Sequence, residues 1–266
     1  MTLSYLFILA LVQGLTEFLP VSSSGHLALL PHLLGAVDQG ITIDISLHVG
    51  TLLAILIYYH RDILTMAFAV LRWRTTPHKF ERNLAVYIVL ATIPAVVVGV
   101  IVHKMFPDGI RSVPVIAFNT IVFGVLMGYA DYKGARVKSV KDMTLVSAMI
   151  MGCAQALALV PGVSRSGITM TAGRFLGFTR ADAARFSFLL GTPAMVGAAL
   201  LDFKDVFEKG VDAAVWADIG IAIGLSFVFG LCAIHFMMKW LQKFGLTAFM
   251  VYRLVLGAFL LVYLVN

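Results

Sequence analysis

The stretch Gln13-Gly-Leu-Thr-Glu-Phe-Leu-Pro-Val-Ser-Ser-Ser-Gly25 returns, imperfectly, as Gln155-Ala-Leu-Ala-Leu-Val-Pro-Gly-Val-Ser-Arg-Ser-Gly167. Each copy sets a helix-breaking proline, hydroxyls and a glycine inside an apolar run, and together they carry Glu17 and Arg165, with His26 next after the first, groups that hydrocarbon excludes. Around them the chain is 60% hydrophobic and 13% charged, with a mean hydropathy of +0.95. That composition excludes a soluble globular domain and defines an all-α integral membrane protein. Cys153 and Cys232 have no metal-like spacing and read as small core residues. No Lys or Arg precedes the first apolar run and Glu17 interrupts its end, so the first 20 residues read as part of the mature chain rather than as a signal peptide.

The net charge of +6 is not a nucleic-acid footprint, because it is concentrated in particular loops. Arg61, Arg72, Arg74, Lys79 and Arg82 lie in 60–83, and Lys133, Arg136, Lys138 and Lys141 in 131–142. The segment 1–44 has no Lys or Arg, and 202–218 carries Asp202, Asp205, Glu208, Asp212 and Asp218. The positive-inside rule puts the first two loops in the cytoplasm and the latter segments outside, with both termini external. Segments 45–59, 84–103, 113–130, 183–201, 215–238 and 246–265 are near the ~20 residues needed to span a bilayer. The segments 3–34 and 144–177, each broken at its motif, read as two re-entrant helix pairs.

The repeat extends past the motifs. Ile45-Ser-Leu-His-Val-Gly-Thr-Leu-Leu-Ala54 matches Phe186-Ser-Phe-Leu-Leu-Gly-Thr-Pro-Ala-Met195 at Ser46, Gly50 and Thr51 against Ser187, Gly191 and Thr192. The expected plan is one membrane domain, 1–266, of two inverted-topology repeats, about 1–130 and 144–266, joined by a basic cytoplasmic loop at 131–143.

Helices restarting after Pro20 and Pro161 place Ser22, Ser23 and Ser24, and Ser164, Arg165 and Ser166, at N-termini that favour anions. Arg165 adds a planar charge suited to phosphate. The expected ligand is a lipid-borne phosphate or diphosphate. Ser23 and His26 share a helix face, so the imidazole can reach the hydroxyl, and Glu17 stands ready to hold a cation or accept a proton. A Ser, a His, a carboxylate and an Arg form a phosphoryl-transfer constellation.

Glu17-Phe-Leu-Pro-Val-Ser-Ser-Ser-Gly-His26 and Pro161-Gly-Val-Ser-Arg-Ser-Gly167 resemble the two signature motifs of the undecaprenyl-diphosphate phosphatases of the bacitracin-resistance (BacA) type. The resemblance implies removal of the terminal phosphate of undecaprenyl diphosphate in the bacterial cytoplasmic (inner) membrane, recycling the cell-wall lipid carrier with a divalent metal, magnesium or calcium. It implies Glu17 as metal ligand or base, Ser23 as nucleophile, His26 as acid/base partner, and Ser164, Arg165 and Ser166 as phosphate binders. Gln13 falls where relatives often carry a second Glu, and it offers at most a carbonyl oxygen. Whether Ser23, His26 or a metal-bound water attacks stays open.

Other polar residues have plainer readings. His48 and His235 read as structural, with His48 an accessory that lines the site as the alternative. Arg253, costly in the last span, reads as satisfied by an ion pair or carbonyls, against a second phosphate contact. Arg174 and Arg185 read as interfacial topology charges. Asp38 and Asp44 are solvated acids or guides for a metal. The segment 60–83 is either an amphipathic surface helix on anionic membrane lipids or a plain positive-inside loop. Gly124 and Gly128 permit close helix contact within one chain or in a homodimer. The functional alternative to an enzyme is a carrier of the same anionic lipid, since opposed broken helices are foremost a transport architecture.

Overall fold

The computed structural model describes residues 1–106, 112–209 and 213–263, with the backbone alone at 103, 201–209, 213–214 and 263. Eleven α-helices and no strand occur among the described residues: α1 (Leu3–Phe18), α2 (Ser23–Leu34), α3 (Gly40–Tyr58), α4 (His60–Leu71), α5 (Lys79–Met105), α6 (Val113–Lys133), α7 (Leu145–Leu157), α8 (Arg165–Phe175), α9 (Arg180–Lys209), α10 (Ala213–Lys243) and α11 (Thr247–Tyr263).

Five helices are long and apolar enough to cross a membrane: Gly40–Tyr58, Lys79–Val102, Val113–Lys133, Arg180–Leu200 and Val215–Lys243. They correspond to five of the six expected spans. The sixth, α11, has 17 residues, or about 25 Å of rise, short of a ~30 Å hydrocarbon core. Of the acids expected outside, the side chains of Asp202, Asp205, Glu208 and Asp212 lie outside the described residues, as does most of the loop 104–112. Asp218 pairs with the Met1 amino group at 2.7 Å.

Helix α10 lies along α1 and α3, α5 along α7 and α9, and α6 along α8 and α11. Small residues set these approaches. A Cβ on Gly152 would sit 2.0 Å from the Ala91 carbonyl oxygen, and one on Gly128 would sit 2.1 Å from Met250 Sδ. Gly124 faces Arg253 in the same way, so the Gly124–Gly128 pair serves α11 of its own chain. Phe18 meets Phe188 edge-to-face at 5.4 Å, joining α1 to α9 in the largest core cluster.

The opposite surfaces are apolar as well. Val89, Ile93, Val96, Val97 and Val100 of α5 are exposed, as a lipid-facing helix requires. Cys153 and Cys232 are exposed too, which corrects the core reading. Hydropathy assigns a small apolar residue equally to lipid and to core.

The chain between α6 and α7 is fastened by charge. Asp131 Oδ1 accepts from Arg174 Nε (3.1 Å) and Arg180 Nε (2.7 Å), and Oδ2 accepts from Arg180 Nη2 (2.7 Å) and the Leu246 amide (3.0 Å). Arg174 is fully buried and also donates to the carbonyls of Gly134, Ala135 and Phe178. It is therefore no interfacial topology charge, because a cation this far from water persists only when paired. Arg185 is paired as well, with Asp62 at 2.7 Å. The segment 60–83 is helical over α4, which turns Met66 and Ala69 inward and leaves Leu64, Phe68 and Leu71 exposed.

Candidate active site

Both motifs fold into the same strained turn. Ser22 and Ser164 cap α2 and α8 with φ of 77° and 73°, the two non-glycine residues at positive φ among those described. A non-glycine residue held in so sparsely populated a conformation costs about 1–3 kcal/mol. Each hydroxyl accepts from the amide three residues on, Gly25 at 3.4 Å and Gly167 at 3.2 Å, which satisfies one orphan donor of its helix. Ser23 and Arg165 thereby become matched first residues of α2 and α8.

The two turns interlock. The Gly162 amide donates to Ser22 Oγ (3.2 Å), and Ser166 Oγ donates to the carbonyls of Glu17 (3.2 Å) and Leu19 (3.3 Å). Arg253 lies behind them, fully buried. It donates to Pro20 and Val163 through Nη1, to Gly162 and Asn119 through Nη2, and to Thr120 through Nε, at 2.7–3.3 Å. Carbonyls satisfy this cation, and no donor is left over for a phosphate.

Glu17, on the last turn of α1 and 6% exposed, is the hub. Its Oε2 accepts from Ser23 Oγ (2.6 Å) and Gln13 Nε2 (3.1 Å), and its Oε1 from Arg165 Nη2 (3.0 Å). His48 Nε2 stands 3.7 Å from Oε2. Carboxylate, hydroxyl and guanidinium from sites far apart in sequence thus share one point at the junction of the two broken helices.

His26 does not join them. Its Nδ1 donates to the Ser22 carbonyl (2.7 Å), which leaves Nε2 as acceptor of the Tyr252 hydroxyl (2.6 Å). Sequence spacing allowed a Ser23–His26 pair, but the Ser23 hydroxyl is directed to Glu17 instead. The hydroxyls of Ser22, Ser164 and Ser166 are buried and engaged in the turns, and Ser24 is exposed. What the serines of both turns offer an anion is chiefly the free amides of the first helical turns.

Sequence reasoning missed the residues that hold Arg165. Its Nη1 donates to the Ser187 carbonyl (3.2 Å), and Thr169 Oγ1 lies 2.5 Å from Ser187 Oγ. A Cβ on Gly191 would fall 1.7 Å from Arg165 Nη1. Ser187 and Gly191 are both repeat-matched positions, and that was the available signal. Tyr252 had none, because only tertiary structure brings α11 to α2.

For a metal, no three His, Cys, Asp or Glu converge among the described residues. At this junction Glu17 is the single carboxylate among the described residues. Beside it, Gln13 is fully buried and its Oε1 has no hydrogen-bond partner, so one acceptor stands open. A cation taking one carboxylate plus substrate phosphate oxygens suits such a donor set. A cavity of about 320 Å³ between α3 and α9, lined by Ile41, Asp44, Ile45, His48, Met195 and Ala198 among others, opens onto His48.

A multi-pass apolar chain, all helical among the described residues, that brings a carboxylate, a hydroxyl and a guanidinium together in its interior is a membrane protein with a buried polar centre. The chain belongs to the family described as bacitracin resistance protein BacA, whose family model matches residues 6–259. It is 44% identical over 262 residues to the undecaprenyl-diphosphatase of Alteromonas mediterranea, covering 98% of both chains. It is 45% identical to the undecaprenyl-diphosphatases of Teredinibacter turnerae (98% of this chain, 99% of the relative) and Alcanivorax borkumensis (97% of each).

Proposed function

We propose that this chain is a membrane phosphatase that hydrolyses undecaprenyl diphosphate to undecaprenyl phosphate and inorganic phosphate, and so recycles the cell-wall lipid carrier and confers bacitracin resistance. The observation that carries the reading is the 2.6 Å hydrogen bond from Ser23 to a Glu17 carboxylate that Arg165 also grips. Arg165 and the first-turn amides hold the terminal phosphate. Ser23 Oγ attacks its phosphorus while the hydroxyl proton passes to Glu17, the anhydride P–O bond breaks, and undecaprenyl phosphate leaves. Water then hydrolyses the phosphoseryl ester, releasing phosphate, and Glu17 returns its proton to solvent. A divalent cation, magnesium or calcium, would be held by Glu17 with Gln13 and the diphosphate oxygens, and when bound it would neutralise phosphate charge.

Purified protein in detergent should release phosphate from a long-chain polyprenyl diphosphate. Chelation of divalent metal should stop the release, and Ser23→Ala should lower kcat by about 10³-fold or more, as when other serine nucleophiles are removed. No release by folded native protein would overturn the phosphatase. The second reading, a carrier of the same lipid, is favoured by the matched packing of α1 on α10 and α7 on α5. A carrier would keep lipid flux in Ser23→Ala.

His26 is assigned to the proton traffic, its tautomer fixed by the Ser22 carbonyl and its Nε2 held in place by Tyr252. Tyr252→Phe is expected to lower kcat about tenfold at little change in KM, a part of the 10²–10⁴ typical of acid–base groups. An unchanged kcat would leave His26 outside the chemistry.

The same packing and the twin serine turns support two inverted repeats, with α1–α2 and α7–α8 as re-entrant pairs and α11 as a sixth span. The loop 131–143 is then cytoplasmic, both termini are external, and the site opens to the periplasmic face of the inner membrane. Val37, 86% exposed between α2 and α3, tests this. In a chain lacking Cys153 and Cys232, Val37→Cys should react with an impermeant maleimide added outside intact cells, and protection there would reverse the topology. Any homodimer would use a face other than Gly124–Gly128, which α11 covers.

A further inference from the structure

We infer that His48 is a nitrogen ligand of the divalent cation at Glu17, so that the metal site is a mixed nitrogen–oxygen one that favours manganese-like cations over calcium. The inference rests on the reading of Glu17 as the metal carboxylate. His48 Nδ1 lies 2.7 Å from the Asp44 carbonyl of its own helix. A carbonyl only accepts, so Nδ1 carries the hydrogen, and in the neutral ring Nε2 presents a lone pair. That lone pair faces Glu17 Oε2 across 3.7 Å. In the neutral ring both atoms are acceptors and make no hydrogen bond to each other, and a cation between them would hold them at this separation.

The gap matches a cation. Two donor atoms each about 2.0–2.2 Å from one small divalent ion stand at most about 4.4 Å apart. The surroundings supply the rest. Gln13 Oε1, fully buried without a partner, sits one turn of α1 before Glu17. Of the two carboxylate oxygens, Oε1 is bound by Arg165, and Oε2, which accepts from Ser23 and Gln13, is the one that faces His48. His48 is 37% exposed and lines the α3–α9 cavity together with Asp44, which provides a route with a negative charge along it. Imidazole suits manganese and later first-row ions, whereas calcium takes oxygen alone. A site with one nitrogen and few protein oxygens therefore discriminates against calcium.

The test uses full-length protein in detergent loaded with Mn²⁺ and read by electron spin-echo envelope modulation, which detects a directly bound ¹⁴N. The native protein is expected to show imidazole ¹⁴N modulation that disappears in His48→Gln and persists in His26→Gln. Mn²⁺ affinity, titrated by the free-ion EPR signal, should fall at least about 10- to 100-fold in His48→Gln, the loss that follows removal of an outer-shell partner alone, with Ca²⁺ affinity falling less. If His48→Gln does not fold, growth on ¹⁵N-histidine keeps the test in the native chain, where the modulation must change from ¹⁴N to ¹⁵N. No bound Mn²⁺, no nitrogen modulation, or modulation surviving His48→Gln would overturn the inference, His48 then being only an ion-pair partner of Glu17. Phosphate release without nitrogen modulation would remove His48 and keep the phosphatase; modulation without release would do the reverse.

Discussion

Arg165→Ala is expected to cut kcat/KM for a polyprenyl diphosphate by about 10³-fold or more, with the protein still folded. Loss of one preorganised donor to a developing oxyanion costs about 10²–10³-fold by itself. Arg165 does more than that, since its Nη2 pairs with Glu17 Oε1 at 3.0 Å. Without it a carboxylate that is 6% exposed is left uncompensated, and burial then favours its neutral form. A protonated Glu17 no longer draws on the Ser23 hydroxyl, so binding and proton acceptance fail together. Arg165→Lys should recover only part of the loss, because one ammonium cannot reach Glu17, the Ser187 carbonyl and a phosphate in the planar arrangement of a guanidinium. Steady-state phosphate release alongside thermal unfolding in detergent checks this. Activity within tenfold of native in folded Arg165→Ala would take the residue out of phosphate binding.

Arg253→Met is expected to give the largest loss of stability. Its five hydrogen bonds tie Pro20, Gly162 and Val163 of the two motif turns to Asn119 and Thr120 of α6. Its removal leaves five carbonyls without this donor, and hydrogen bonds to a charged group are individually worth about 1.5–3 kcal/mol. The expected result is a clearly lowered unfolding midpoint in detergent, with activity lost because the two turns separate. Arg253→Lys should rescue little, since one ammonium cannot span carbonyls on three segments. A phosphate-contact role would give the opposite pattern, a raised KM at an unchanged midpoint.

Much of the site was legible because membrane insertion makes polar groups conspicuous. Glu17 and Arg165 stand out in apolar surroundings, and the serines after each proline mark helix starts by the ordinary logic of capping. The Ser22 and Ser164 caps at matched positions follow from the repeat alone. The failures share one cause. Cys153 and Cys232 were placed in the core, and Arg174 at the interface, because hydropathy measures how apolar a segment is and not which side of it meets protein. Lipid and core are equally apolar, so sequence periodicity has little contrast to read.

By itself the sequence determined the membrane class, the two breaks, their hydroxyl caps and the residue types assembled there, since each follows from local chemistry within a few residues. The tertiary structure alone decided who partners whom: Ser23 with Glu17 rather than His26, His26 with Tyr252, Arg165 with Glu17 and Ser187, and Arg253 with five carbonyls. A hydrogen bond is made or lost within a few tenths of an ångström, and separations that small between residues far apart in the chain are set only when the helices carrying them have packed.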